Sequence, residues 1–301
     1  MCYDGDYQTK RQFNQAKRLQ VPDERIIQKQ HEMIEREKRR LGEKPEDEAL
    51  QSDDLEKYLP AYYHISGFAK PQMAFMTSLE KADMDIGIWG FVPAWVKTVQ
   101  EAYDFKKPFN RNLNVQSETM FEKRGFKASA RHMRCVISMD AYYESHHQNK
   151  TTYPFRIYHA DGSPLWLAGI YRHTELTDEK TGEVQEFNSV AVVTTQANSI
   201  LARIHNNPKL VERTGHRMLV LLDESQLTDY LKPYPDTKDP AEEKLFEAAI
   251  LNLCQPYDED KLAYDPVRNL KKRKDMDYIG NVPEIRERYH WPDLNLDEIF
   301  T

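Results

Sequence analysis

The stretch that decides the fold runs from residue 153 to 222 and holds four apolar segments: YPFRIYHA (153–160), PLWLAGIYRH (164–173), FNSVAVVTT (187–195) and HRMLVLL (216–222). The first alternates ring and aliphatic residues, and the others are short apolar runs, which is typical of β-strands. The turn-forming stretches ADGS and DEKTGE separate three of them. Strands that follow one another without helices between them favour antiparallel pairing. We therefore predict an α+β fold with a sheet-built core and peripheral helices.

Helix signals lie on both sides of these strands. TQANSILARI (195–204) predicts a short helix, and Asp239-Pro240 predicts the start of a longer one. A charged helix is predicted over residues 22–42, with a stripe formed by Ile27, Met33, Ile34 and Leu41, and a polar linker follows it. We expect a single domain over 1–301, with the charged helix and linker inserted at about 22–58 and a C-terminal extension after about 222.

The composition is that of a globular protein with a well-solvated surface. Of the 301 residues 40% are hydrophobic and 30% are charged, and no apolar run is long enough to span a bilayer. The N-terminus has no secretory signal pattern. Three cysteines without metal-ligand spacing favour a reducing compartment. We expect a cytoplasmic monomer that has no membrane contact, and no nucleotide, metal or cofactor motif supports a bound group.

The net charge of −7 argues against nonspecific coating of nucleic acid. The charge is unevenly distributed, because residues 106–134 carry eight Lys/Arg against only Glu118 and Glu122. This basic stretch fits either a solvated face or a groove that follows phosphates.

Three residue types could carry chemistry. The chain opens MCYDGDYQTK, so removal of Met1 leaves Cys2 with a thiol and a free α-amine on neighbouring carbons. Glu144 follows two tyrosines in RCVISMDAYYES (134–145), where partly dry surroundings would raise its pKa. His205 follows a predicted helix and precedes a proline-stopped turn. Taken alone, each also fits an ordinary role as a tolerated second residue, an exposed strand end or a packing histidine.

Two further clusters have a structural and a functional interpretation. NLNVQSET (112–119) places Asn114, Gln116 and Ser117 inside the basic stretch, as a hydrogen-bonding cradle or as simple turn residues. WGFVPAW (89–95) concentrates Trp89 and Pro93 in a loop that either packs in the core or stacks on unpaired bases.

The order and spacing of these motifs resemble the SOS-response-associated peptidase family, also called abasic-site-processing proteins. The resemblance rests on MC, WGFVPAW, NVQSET, RCVISMDAYYES, PLWLAGIY and VVTTQANSILARIH followed by RMLVLL. It covers Cys2 and roughly residues 62–222, with weaker similarity in AYDPVRNL and GNVPEI, and the charged helix and linker lie outside it.

The resemblance implies a compact fold of curved, mostly antiparallel sheets with a barrel-like core. It implies single-stranded DNA containing an abasic site as the partner, and a covalent thiazolidine cross-link formed through the N-terminal cysteine. Cys2 matches the family nucleophile and Glu144 the family glutamate, which would shuttle protons. Asn114 would orient the amine or the sugar, and His205 would act as an acid or base at physiological pH.

The resemblance also implies DNA contacts at Trp89, Pro93, Gln116, Ser117 and Arg217. Several positions depart from the family pattern. Asp4 stands where an arginine is common, Gln116 replaces the arginine of the Asn-Ala-Arg-Ser-Glu motif, and NNPKLVERTGH (206–216) is inserted before Arg217. The departures predict weaker or relocated phosphate contacts, and the insertion makes His216 a rival of His205.

Two alternatives remain, and the first of them uses the same Cys2, Glu144 and His205. One is a cysteine-type peptidase whose substrate is its own initiator methionine. The other is a noncovalent module that binds single-stranded DNA and has lost its chemistry. DNA capture needs a free amine as well as a thiol, whereas a peptidase needs only the thiol. An associated lyase activity is a further expectation from the family.

Overall fold

The structure is a computed structural model that describes residues 3–43, 52–104, 112–271 and 278–300. The strands are β1 (Asp4–Gln8), β2 (Ala61–Ser66), β3 (Gln72–Ser78), β4 (Asp83–Trp89), β5 (Asn114–Gln116), β6 (Arg134–Met139), β7 (Ala141–Gln148), β8 (Thr151–His159), β9 (Leu165–Thr177), β10 (Val184–Gln196), β11 (Arg217–Leu219), β12 (Leu221–Leu222) and β13 (Leu262–Pro266). The helices are α1 (Thr9–Arg18), α2 (Asp23–Leu41), α3 (Ser52–Tyr58), α4 (Val99–Tyr103), α5 (Lys127–His132), α6 (Ser199–Ile204), α7 (Pro208–Thr214), α8 (Leu227–Leu231), α9 (Pro240–Leu253) and α10 (Asp297–Phe300).

The larger sheet closes into a barrel-like core. Its strands run in the order β11-β10-β4-β3-β6-β9-β12, and β9 also pairs with β10, which joins the two ends of the path β10-β4-β3-β6-β9. All pairings on this path are antiparallel except β4 with β10, and β5 also joins β10 in parallel. The expected α+β class with a barrel-like, mostly antiparallel core is therefore confirmed.

The barrel interior brings two strands into close contact at a glycine. A Cβ added at Gly169 on β9 would lie 2.8 Å from the Sγ of Cys135 on β6. Cys135 is fully buried and Cys254 nearly so, and both are free thiols. Residues of β6, β9 and β10 contribute to two packed hydrophobic clusters. This packing explains why these strands appear in the sequence as short apolar runs.

In the second sheet the N-terminal strand β1 lies between two other strands. Its order is β13-β8-β7-β1-β2, and every neighbouring pair is antiparallel. Asp4 at the start of β1 pairs with Tyr143 on β7 and with Ser66 on β2. The first described residues of the chain are therefore held between two strands, beside the strand that carries Glu144.

The predicted helices are present, with one correction. The charged helix is α2, which ends at Gly42 in the left-handed conformation that favours glycine. Ile26, Met33 and Ile34 bury its inner face, each contributing about 1.5–3 kcal/mol of hydrophobic stabilisation. Ile27 and Leu41, which the sequence placed on that stripe, are more than half exposed. The predicted apolar stripe of α2 was thus wrong by one residue at its start, where Ile26 and not Ile27 is buried.

Asn198 caps α6 by accepting a hydrogen bond from the Leu201 amide at 2.9 Å, and Asp239 caps α9 from the Ala241 amide at 2.8 Å. α9 begins at Pro240, as the sequence predicts, whereas α6 begins at Ser199, because Thr195 and Gln196 of the predicted helix belong to β10. Of the helices in the described ranges, none is long and apolar enough to cross a membrane.

Candidate active site

A cleft of about 220 Å³ opens at the head of β1. Tyr3 and Asp4 line it together with Glu144 on β7 and His205, which follows α6. Among the described residues that line the cleft, Lys271 is the lysine, and it comes from the segment after β13. The structure thus brings Glu144 and His205 to one cleft although 60 residues of sequence separate them.

Glu144 lies in a nearly dry part of this cleft. Its residue is 6% exposed, and within the described part of the chain its Oε1 has no hydrogen-bond partner. Burial raises its pKa from 4.5 to about 7, and the nearby Asp4 carboxylate acts in the same direction. Near neutral pH the carboxyl is therefore present in both protonation states, as a group that must take and return a proton requires.

His205 is 2% exposed and held in one tautomer. Its Nδ1 accepts the backbone N–H of Arg217 at 3.3 Å, so the proton of the neutral ring is on Nε2. Burial lowers its pKa to about 3, and the charges of His216, His147 and Arg217 act in the same direction. The ring is therefore neutral across physiological pH and presents an N–H donor, which differs from the expected titration near neutrality.

His216, the rival histidine, supports this geometry from behind. Its Nδ1 donates to the backbone carbonyl of His205 at 3.0 Å. It is not among the described residues that line the cleft, whereas His205 is.

The inserted segment after His205 forms one wall of the cleft. Asn206 grips β7 through both side-chain atoms, accepting the His147 N–H at 2.7 Å and donating to its carbonyl at 3.0 Å. Asn207 caps α7 through Oδ1 and contacts His147 Nε2 through its amide nitrogen at 3.2 Å. Asn207 and Leu210 line the cleft, so the insertion contributes to the site. Its length in the sequence was visible, but its docking on β7 was not.

Asp4 has a partner that the sequence did not suggest. Its Oδ1 lies 3.2 Å from Nε2 of His64 on β2, and its Oδ2 lies 4.0 Å from the Lys271 ammonium. Lys271 also sits over the Tyr3 ring at 4.5 Å. Where an arginine is common in the resembled family, this chain therefore has a carboxylate surrounded by basic side chains.

Of the predicted cradle residues, Asn114 and Gln116 lie on β5, which pairs with β10 of the larger sheet, and Ser117 follows β5. Asn114 is half-buried on β5, opposite Val192 of β10, and is not among the described lining residues of the cleft. Ser117 is buried, and the Gln116 amide oxygen lies 3.5 Å from the Lys123 ammonium. Of these three residues, Gln116 is the one that lies near positive surface charge, because Lys123 is exposed.

Arg217 is occupied by protein groups. Its guanidinium makes two hydrogen bonds to the Glu118 carboxylate, at 2.7 and 2.8 Å, and one to the Thr194 carbonyl at 2.8 Å. The residue is 4% exposed. In this conformation Arg217 fixes β11 beside β10 and presents no guanidinium to a phosphate.

The Trp/Pro loop divides between core and surface. Trp89 is fully buried, with Nε1 donating to the Leu113 carbonyl at 3.0 Å, and Pro93 is also buried. Neither presents a face to a base in this structure. Trp95 is 47% exposed, and a Cβ on Gly125 would lie 3.2 Å from its ring. The exposed ring of WGFVPAW is thus Trp95, which the sequence did not single out, and it packs on the basic stretch.

Some of the cations in the basic stretch are paired with other groups of the protein. Arg131 pairs with Glu243 and Glu247 on α9. The buried Arg134 donates to backbone carbonyls, including that of Tyr230 at 2.9 Å. Lys123, Arg124 and Lys127 remain exposed, while Lys106, Lys107 and Arg111 lie outside the described residues.

Cys2 also lies outside the described residues. Among those described, no group of three or more His, Cys, Asp or Glu side chains could hold a metal ion.

Comparison with known proteins supplies the family. A sequence model of the SOS response associated peptidase (SRAP) family matches residues 26–271. The chain belongs to the SRAP family. The match spans most of the chain, and it includes Glu144 and His205.

Proteins named as abasic site processing proteins are similar to this chain over different lengths. Abasic site processing protein YoqW of Bacillus subtilis is 25% identical over 248 residues, covering 81% of this chain and 95% of YoqW. Abasic site processing protein YedK of Escherichia coli is 28% identical over 169 residues, covering 54% of this chain and 68% of YedK. A crystal structure of a Bacteroides thetaiotaomicron protein is 28% identical with a TM-score of 0.60, covering 80% of this chain and 92% of that one.

Proposed function

We propose that this SRAP protein captures abasic sites in single-stranded DNA by a covalent cross-link through Cys2. The observation that carries the proposal is the cleft in which a carboxyl with a pKa of about 7 and a neutral imidazole N–H line the same walls. Tyr3, which lines this cleft, is covalently bonded to Cys2. The family and the relatives named as abasic site processing proteins support DNA as the partner.

The chemistry uses both groups of an N-terminal cysteine. An α-amine has a pKa of about 7.7–8.0 and a thiol about 8.5, so near neutral pH a usable fraction of each is deprotonated. The amine attacks the aldehyde carbon of the ring-opened sugar to give a carbinolamine, which loses water to form an imine. The thiol then adds to the same carbon and its proton ends on the nitrogen, which closes a five-membered thiazolidine.

The cleft residues have separate roles in these steps. Glu144 in its acid form protonates the departing hydroxyl, and its carboxylate then accepts the thiol proton. His205 donates a hydrogen bond from its Nε2–H to the sugar oxygen and transfers no proton, because its pKa of about 3 keeps the ring neutral. Asn114, on β5 of the larger sheet, orients the amine or the sugar through its amide.

The deciding experiment mixes the purified protein with single-stranded DNA containing an abasic site and looks for a shifted band that survives heat and denaturant. Cys2→Ser should abolish the heat-stable product, because oxygen closes the ring far less favourably than sulfur. The matched DNA control carries a borohydride-reduced sugar, which has no aldehyde. Undiminished stable adduct in Cys2→Ser would remove the thiazolidine mechanism.

A second variant separates capture from ordinary cysteine hydrolysis. A short uncleavable extension before Cys2 keeps the thiol but converts the amine to an amide, which cannot form an imine. The cross-link should disappear while noncovalent binding persists. The rival role, removal of Met1 by the protein itself, predicts that Glu144→Gln retains Met1 in the intact mass. Strand cleavage at the lesion, in the same gel, reports any lyase activity.

A further inference from the structure

A second cavity, of about 450 Å³, lies apart from the cleft and shares no lining residue with it. His159 at the end of β8, Ser163 in the following turn, Trp166 on β9 and Tyr257 after α9 line it. The cavity therefore combines a hydroxyl, an imidazole and a phenol, and the proposed DNA chemistry uses none of them.

These groups form one hydrogen-bonded chain. Ser163 Oγ lies 2.8 Å from His159 Nδ1, and His159 Nε2 lies 3.1 Å from the Tyr257 hydroxyl. The Tyr257 hydroxyl donates to Asp223 Oδ1 at 2.7 Å. His159 is 9% exposed and Tyr257 9% exposed, so the middle of the chain is shielded from water.

The direction of the chain follows from its last link. An ionised carboxylate only accepts, so the single proton of the Tyr257 hydroxyl points to Asp223. Tyr257 oxygen must then accept from His159 Nε2–H. The neutral ring consequently has a bare Nδ1, which accepts the Ser163 hydroxyl proton. The carboxylate and the phenol thus hold the imidazole in the tautomer that a general base for Ser163 needs.

The turn presents Ser163 to solvent. Gly162 has a φ of 77°, and the Ser163 N–H donates to Asp161 Oδ1 at 2.8 Å. Hydrogen bonds from Ser163 lower the pKa of Asp161, so this carboxylate competes with His159 for the hydroxyl proton. Ser163 itself is exposed at the rim of the cavity.

We propose that Ser163 is the nucleophile of a second, esterase-type site that hydrolyses small neutral or cationic esters. Ser163 Oγ attacks the carbonyl carbon while its proton passes to His159 Nδ1. The bond to the leaving alcohol breaks, and that alcohol takes the proton. Water, deprotonated by His159, then releases the acid and restores Ser163. The net reaction is ester plus water giving acid plus alcohol.

The charge of the lining sets the substrate class. Four carboxylates line the cavity, from Asp161, Asp223, Glu224 and Asp260; Glu224 is paired with Arg18 at 2.7 Å, and Lys261 is the cation among the described lining residues. Lys261 is paired with Asp223 at 2.8 Å, so the net negative charge of the lining comes from Asp161 and Asp260. Anionic esters are repelled by this surface, and the wall formed by Trp166 favours a short apolar acyl group.

The test uses the full chain with the Cys2→Ser change as background, so that the N-terminal thiol does not react with the probes. A fluorophosphonate probe should label Ser163, as mapped by mass spectrometry. Full unfolding of the parent protein should lower its rate of 4-nitrophenyl acetate hydrolysis to that of the Ser163→Ala variant. His159→Gln should slow both reactions roughly 100-fold, the scale of general base catalysis. Tyr257→Phe should slow them less, because it removes only the link to Asp223.

Two results would overturn the site. Ester hydrolysis that is the same in Ser163→Ala as in its parent would show that the serine is not the nucleophile. Labelling of Ser163 that is unchanged by His159→Gln but lost in Asp161→Asn would assign the proton to the turn carboxylate instead of the relay. Melting temperatures within a few degrees of the parent establish that the variants are folded. Capture of abasic DNA by Ser163→Ala with Cys2 restored should equal wild type.

Discussion

The raised pKa of Glu144 makes the stability of the protein depend on pH, and Glu144→Gln isolates that dependence. The carboxyl titrates at about 7 in the folded protein, against an ordinary value of 4.5. Between these values the native state binds the proton more tightly than the unfolded chain. Its contribution to stability is therefore fully present below about pH 4.5 and is lost as the pH rises through about 7.

The magnitude follows from the separation of the two values. About 2.5 pH units at about 1.4 kcal/mol each amounts to roughly 3 kcal/mol, an order-of-magnitude figure. A glutamine is neutral at every pH, so wild type should lose about 3 kcal/mol relative to Glu144→Gln between pH 4.5 and pH 8. Most of this change should occur between pH 5 and 7.

Urea unfolding of both proteins at half-unit pH steps measures the difference. Glu122→Gln is the matched control, because an exposed carboxylate changes its hydration little on folding and this variant should follow wild type. A free-energy difference between wild type and Glu144→Gln that stays flat from pH 5 to 8 would refute the reasoning, since the carboxyl would then titrate alike in both states.

Three further predictions concern the DNA surface. Gln116→Arg should tighten binding to single-stranded DNA and steepen its logarithmic salt dependence by about 0.7, the value for one added phosphate contact; identical titrations at several salt concentrations would show that position 116 does not face the backbone. Trp95→Ala should weaken noncovalent binding by about 1–3 kcal/mol without lowering the melting temperature, whereas Trp89→Ala should destabilise the fold by about 3–5 kcal/mol. Arg217→Met should lower the free energy of unfolding by about 2 kcal/mol and leave the salt dependence of binding unchanged; a shallower slope would restore Arg217 as a phosphate ligand.

The strands and helices could be predicted from sequence because their signals are local. Alternation in β8, apolar runs in β9 and β10, and the caps at Asn198 and Asp239 each act within a few residues. The closure of the barrel depends on pairing between distant segments, such as β4 with β10 in parallel. Residue patterns carry little information about such pairing, and the resemblance to a known family supplied that expectation.

For the site, the sequence predicted residue types better than depth. The raised pKa expected for Glu144 is found, because two preceding tyrosines already indicated a dry environment. The depth of His205 was not visible, and burial together with neighbouring positive charge lowers its pKa out of the physiological range. Likewise WGFVPAW could not show which tryptophan faces inward, since Trp89 is buried by segments distant in sequence, including Leu113, whose carbonyl accepts its Nε1 hydrogen, whereas Trp95 is 47% exposed.

The arrangement of charge is compatible with the proposed chemistry and with proposed DNA contacts that differ from the pattern of the resembled family. Arg217 and Arg131 form ion pairs with glutamates. At the head of β1, Asp4 stands where an arginine is common in the resembled family. The pKa values of Glu144 and His205, in contrast, are shifted chiefly by burial within the cleft and need no phosphate ligand nearby. Exposed cations remain at Lys123 and around Trp95, and Lys271 stands in the cleft wall beside Asp4. Because exposed charges can be exchanged at little cost to folding, whereas a buried carboxyl with a pKa near 7 depends on its whole surroundings, the DNA surface can be rebuilt without disturbing Glu144.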